Sequence, residues 1–158
     1  MPVSNLQFVA DMERLAGIYE DRIMAVVKMS TQDVFELAQE VGPSRTNPNS
    51  TGTGRMPVGP SGFLRASAVV RLNADPPPAN RENPNADGKY SWDAAAITLV
   101  IAGMEIGDRA TIGWTAAYAR HVNYGTSKMS GYHFVEYAAG QWQQIVRRNA
   151  ERAKEIAA

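Results

Sequence analysis

The sequence predicts an α+β fold: a long N-terminal helix, a small antiparallel sheet, short middle helices and a C-terminal helix, separated by two long loops. Three observations carry that reading. Apolar residues recur at steps of three and four from Asn5 to Val41, alternate over two short stretches, and give way twice to runs rich in Pro, Gly and Asn. With 158 residues the chain fits one domain, since single domains commonly hold about 100 to 150 residues.

The first helix is read over 5–41. Phe8, Met12, Leu15, Tyr19, Ile23, Val26, Val34, Leu37, Ala38 and Val41 form its stripe, with Ser4 as N-cap and Gly42-Pro43 as the stop. Gly17 and the Ser30-Thr31 pair are places where it could bend or divide in two. A helix this long on so small a domain outruns what the rest of the chain can cover, so part of it is expected to meet a neighbour.

Residues 42–62 are rich in Gly, Pro, Ser, Thr and Asn and are read as a flexible loop. The segment 63–73 follows as a helical turn, Phe63 to Ala66, and a strand from Ala68 to Asn73. A second loop, 74–90, contains Pro76-Pro77-Pro78 and Pro84, which forbid regular structure. Over 91–158 the expected elements are a helix capped by Ser91 and running to about Glu105, and a strand from Arg109 to Trp114. A short helix over 116–124 closed by Gly125 and a C-terminal helix from Tyr132 or Phe134 complete the chain. The two strands are expected to pair.

Sixteen basic residues balance sixteen acidic ones, which gives no net attraction for nucleic acid or an anionic membrane. The absence of cysteine removes disulfides, thiolate metal sites and a cysteine nucleophile. Met1 to Asp11 lack the basic and apolar regions of a secretory signal. The longest apolar stretch, Ala94 to Met104, falls short of the roughly 20 residues that span a bilayer, so no membrane is expected.

Chemistry-bearing patterns are weak. Gly52, Gly54 and Gly59 raise a phosphate loop, but no Gly-Lys-Ser/Thr ending follows and Pro57 and Pro60 remove amide donors. His121 and His133 lie in different elements, which does not suggest a shared metal site. Glu105 and Asp108 could form an acid-base pair, yet a helix end and turn favour acidic residues for capping. No catalytic centre, metal site or cofactor is expected. Arg147, Arg148, Arg152 and Lys154 prompt a nucleic-acid-binding alternative, against which Glu151 and Glu155 are interleaved.

Two segments read together suggest a family. Ser61-Gly62-Phe63-Leu64-Arg65-Ala66-Ser67 precedes an apolar strand; Gly107-Asp108 and a strand lead into Tyr118-Ala119-Arg120-His121-Val122-Asn123-Tyr124-Gly125-Thr126-Ser127-Lys128. This resembles the tail-completion, or neck, proteins of long-tailed bacteriophages. In that family a Thr/Ser-Gly-x-Leu-Arg-x-Ser element precedes a strand, and a Tyr-Ala-x-x-(Val/Leu)-Glu-Tyr-Gly-x-Ser element precedes a C-terminal helix. Asn123 stands where the family usually has Glu, and Met129-Ser130-Gly131-Tyr132 replaces an Ala-Pro turn.

The resemblance implies a structural virion protein, assembled in the host cytoplasm, that joins the tail to the head connector and turns over no substrate. Its implied partners are copies of itself in a ring, commonly six-fold, and tail terminator, tail tube or head-tail connector proteins, with DNA passing through the lumen. A tail terminator or another connector ring is the nearest alternative. The motif and candidate interface residues are Gly62, Leu64, Arg65, Ser67, Tyr118, Ala119, Tyr124, Gly125 and Ser127.

Overall fold

The structure, a computed structural model, describes residues 5–157. The Ser4 cap lies outside the described residues. The elements are α1 (Asn5–Gln39), α2 (Phe63–Ala66), β1 (Ala68–Leu72), α3 (Ala94–Ala102), β2 (Ala110–Trp114), α4 (Ala119–Tyr124), β3 (Gly125–Thr126), β4 (Met129–Ser130), α5 (Phe134–Gly140) and α6 (Trp142–Ala157). The fold is α+β, with the long first helix, small antiparallel sheet, short middle helices and C-terminal helix that the sequence predicts.

α1 is one helix of 35 residues, undivided at Gly17 and at Ser30-Thr31. The Thr31 hydroxyl bonds back to the Val27 carbonyl at 2.8 Å, so it satisfies itself within the helix. β1 and β2 pair antiparallel, Ala68 opposite Trp114 and Leu72 opposite Ala110. Beyond the strand ends Asn73 clamps the turn that enters β2: its side chain donates to Asp108 and accepts from the Arg109 amide.

Three local expectations are corrected. α3 begins at Ala94, because the Asp93 carboxylate, not Ser91, accepts the Ala96 amide at 2.9 Å. The C-terminal segment is two helices, interrupted at Gly140-Gln141, where glycine weakens helix propagation by about 1 kcal/mol relative to alanine. Between α4 and α5 the chain makes a two-residue-per-strand hairpin, β3 with β4, which the sequence reading placed in no strand.

The interior has two clusters on either side of α1's C-terminal half. One gathers Met56, Phe63, Leu64, Trp114, Ala119 and Phe134; the other joins Phe35 to Val70, Ile97, Ile101 and Met104. Aromatic rings bridge them, with Trp114 stacked on Phe35 at 6.5 Å and meeting Phe134 edge-on at 5.0 Å. Phe35, absent from the predicted stripe, is wholly buried.

Loop 42–62 returns to the end of α1. Gly42 donates to the Met56 carbonyl and Met56 to the Glu40 carbonyl, both at 3.1 Å, and the Met56 side chain is fully buried. This loop has an apolar anchor that its composition hid. Gly42 and Gly54 face each other so closely that a Cβ on Gly42 would lie 1.8 Å from the Gly54 carbonyl oxygen.

Candidate interaction surface

The two motif segments meet in space. Gly62 adopts φ 73° immediately before α2, a conformation that favours glycine, and a Cβ there would sit 2.6 Å from the Tyr90 carbonyl oxygen. Phe63 and Leu64 then enter the core together. The Ser67 hydroxyl closes the turn on the Leu64 carbonyl at 2.7 Å, and the Ser67 carbonyl takes both the amide and the hydroxyl of Thr115, which follows β2.

Tyr118 completes the junction. Its ring leans on Phe63 at 6.3 Å and its hydroxyl bonds the Leu64 backbone. Burial pushes the phenol above its ordinary value, an effect that this hydrogen bond partly offsets. Ala119 is buried beneath it. Arg81, from the second loop, joins the same corner by amide and carbonyl bonds to Thr115 and Ala117 and by stacking its guanidinium 5.3 Å from the Phe63 ring centre.

Arg65 turns the other way, toward the end of α1. Its Nε donates to the Gln39 carbonyl at 3.1 Å and its guanidinium lies 5.9 Å from the Trp92 ring centre. Burial lowers its pKa from the ordinary value. No carboxylate pairs with it among the described residues, so Arg65 acts here as a positioned, half-buried donor group. Gln39, which periodicity alone does not single out, is the hub it rests on.

The remaining motif residues stand apart from that junction. Tyr124 is 60% exposed, Gly125 opens the β3–β4 hairpin at φ 86°, and Ser127 lies exposed at its tip. A Cβ on Gly125 would meet the Gly131 amide and the Met129 carbonyl at 2.6 Å, so this tight hairpin depends on glycine. Met129 adds a second exposed apolar side chain.

Asn123 anchors the hairpin's base. Its Nδ2 donates to both oxygens of Glu136 at 2.8 and 3.0 Å, and its Oδ1 accepts the Val135 amide at 3.1 Å. It thereby caps α5 in place of His133, which occupies a left-handed conformation and offers no side-chain cap. Burial raises the Glu136 carboxyl, but the hydrogen bonds from Asn123, its own backbone and Tyr124, with the His133 charge, outweigh it and hold the pKa below the ordinary value.

The candidate chemical groups fall into local roles. Asp108 accepts from Asn73 and from the Glu105 amide, the capping arrangement expected at that turn. Arg148 pairs with Asp33 of α1 at 3.0 Å and Lys154 with Glu151 at 3.0 Å, so two of the four cations on α6 face partners within the chain. Among the described residues no group of three or more His, Asp or Glu gathers as a metal site, and no helix is long and apolar enough to cross a membrane.

Among the described residues, α1 carries the longest run of exposed large apolar side chains. From Leu6 to Ile23 every residue except Gly17 is exposed. At about 1.5 Å per residue, this stretch is about 27 Å of helix. α6 packs along the later part of α1, where Val146, Ala150 and Ala153 line a groove with Ile23 and Val26. Phe8, Met12, Leu15 and Tyr19 therefore stand clear of the body, Tyr19 at 61% exposure. Neither a protein-family model, nor a curated protein, nor a solved structure matches the chain.

Proposed function

We propose that this chain is a structural subunit of a tailed-phage neck, a tail-completion protein that joins the tail to the head connector by packing against copies of itself and adjoining tail proteins. The carrying observation is the uncovered apolar length of α1. In proteins most helical stability comes from packing an amphipathic face, so Phe8, Met12, Leu15 and Tyr19 call for a cover that the body does not supply. The motif residues support the reading in two ways: Gly62, Leu64, Ser67, Tyr118 and Ala119 build a rigid corner, while Tyr124 at the end of α4 and Ser127 at the hairpin tip are exposed away from it.

In this role the subunit turns over no substrate and resides in the virion. Its ring contacts are heterologous where different patches of one protomer meet the next. Light scattering of the full chain, alone and mixed with tail-tube or terminator protein, tests the reading. The expected result is a mass that is a multiple of 17.2 kDa or a stable mixed complex. A chain that stays monomeric alone and with each neighbour overturns it.

A further inference from the structure

We infer that the cleft between α1 and the α5–α6 junction binds a peptide segment through a carboxylate, which the two terminal nitrogens of Arg65 receive. The inference rests on the structural-subunit reading above for the source of that peptide, a neighbouring protein chain.

The cleft is open and about 690 Å³ in volume, within the roughly 300–1,000 Å³ of small-ligand sites. Leu37, Ile145 and the rings of Trp92 and Tyr137 give it apolar walls, and Gln141 and Gln144 add side-chain amides. Arg65 reaches it from α2, and its aim is fixed. Nε donates to the Gln39 carbonyl at 3.1 Å, while the Gln39 side chain is held by the Arg65 carbonyl at 2.9 Å and the Trp114 indole at 3.1 Å. The guanidinium lies 5.9 Å from the Trp92 ring centre. Among the described residues its two terminal nitrogens bond to nothing in the chain.

Every other charged group lining the cleft is engaged. Asp33 accepts from Arg148 at 3.0 Å and Asn149 at 2.9 Å, Glu40 from the Thr53 amide and hydroxyl, and Glu36 from the Gln32 amide at 2.7 Å. Arg65 is left half-buried, with burial lowering its pKa and no carboxylate at ion-pair distance. An arriving carboxylate replaces the water this guanidinium has lost and fits its planar, paired N–H groups. Arg55, whose guanidinium stands 5.1 Å from the Tyr137 ring centre, joins Arg65 and Arg148 in balancing Asp33, Glu36 and Glu40. A monoanion suits that balance better than a phosphate dianion, and recognition is by contact at Arg65 and not by a long-range field. The aromatic rings beside Arg65 suit an apolar residue next to the carboxylate.

Titration of the full chain with N-acetyl-phenylalanine, followed by nuclear magnetic resonance, tests the site. The acid is expected to shift the Trp92 indole signal and to leave that of Trp142, which lines a separate groove with Val34 and Val135. The uncharged N-acetyl-phenylalanine amide should bind about tenfold more weakly or worse, as loss of a charge-assisted pair implies. Arg65→Gln should abolish the difference between acid and amide, and Arg65→Lys, which keeps the charge without the planar fork, should retain part of it. N-acetyl-glutamate α-amide carries its carboxylate on the side chain, so the tighter of the two acids shows whether a chain terminus or an acidic side chain is received. Equal binding of acid and amide to the parent overturns the inference, as does a Trp92 signal that neither acid moves or an acid preference that survives in Arg65→Gln. Light scattering separates the two readings: a chain that assembles without binding either acid keeps only the structural role, and one that binds the acid while monomeric with every neighbour keeps only the site.

Discussion

Gln39 and Arg65 exchange hydrogen bonds across 26 residues of sequence: the Gln39 amide donates to the Arg65 carbonyl at 2.9 Å, and the Arg65 Nε returns a bond to the Gln39 carbonyl at 3.1 Å. Gln39 also accepts the Trp114 indole N–H at 3.1 Å. One buried side chain therefore ties the end of α1 to α2 and β2. Replacing Gln39 by Leu keeps the bulk and orphans the indole and the Arg65 carbonyl. The cost is about 1–3 kcal/mol for each group left unpaired, read as a lower urea midpoint at constant slope. An unchanged midpoint would remove Gln39 from this role.

Gly62→Ala places a side chain at φ 73° and against the Tyr90 carbonyl. Left-handed backbone alone costs a non-glycine residue about 1–2 kcal/mol, and the 2.6 Å approach adds to it. Thermal melting of Gly62→Ala beside Gly59→Ala checks this, because a Cβ on Gly59 meets nothing within 4 Å. The first variant should melt lower and the second should not.

Met56→Ala empties a fully buried position and should cost about 2–5 kcal/mol. Because Met56 pins loop 42–62 to the end of α1, limited proteolysis should cut within that loop faster in the variant than in the parent. Equal cleavage rates would show that the backbone bonds at Gly42 and Glu40 hold the loop without it.

Asn123→Asp sets a second carboxylate against Glu136, at a position where Nδ2 now donates to both of its oxygens. The single variant should be destabilised, and Glu136→Gln introduced beside it should restore part of the loss. A double-mutant cycle on chemical unfolding measures the coupling. Additive effects would mean that the two side chains do not act together.

The same pair gives a pH dependence. Glu136 has its folded pKa held below the ordinary value, so its contribution is complete above the unfolded value of about 4.3 and is lost as pH falls through the folded one. The stability difference between the parent and Glu136→Gln should be constant around neutral pH and shrink under more acidic conditions. A gap that persists to the acid limit would assign the effect to packing rather than charge.

Much of the architecture was legible in the residues. Spacing of three and four marked α1, alternation marked β1 and β2, and the proline runs marked the second loop, because each reflects local backbone preference acting over several residues. What escaped were features set by one contact: Asp93 as the cap of α3, the break at Gly140, and Met56 as an anchor in a polar loop. Gln39 and Glu136 were equally silent. A lone polar residue beside a helical stripe has no periodic signal, and its value comes from partners far away in sequence. The departure at Asn123 was visible, but only the fold supplied Glu136 and the Val135 amide as its partners.

By itself the sequence determined that an amphipathic helical stripe runs from Phe8 to Val41, and that Gly62, Leu64, Tyr118 and Gly125 stand in two patterned segments; that α1 is one undivided helix was decided by the structure. Tertiary structure alone decided which face of that rod is covered. Periodicity tells which side chains share a face, since that follows from the pitch of the helix. Whether the face is dry depends on how far α3, α5 and α6 reach along it, and Phe8, Met12, Leu15 and Tyr19 remain exposed beyond their reach.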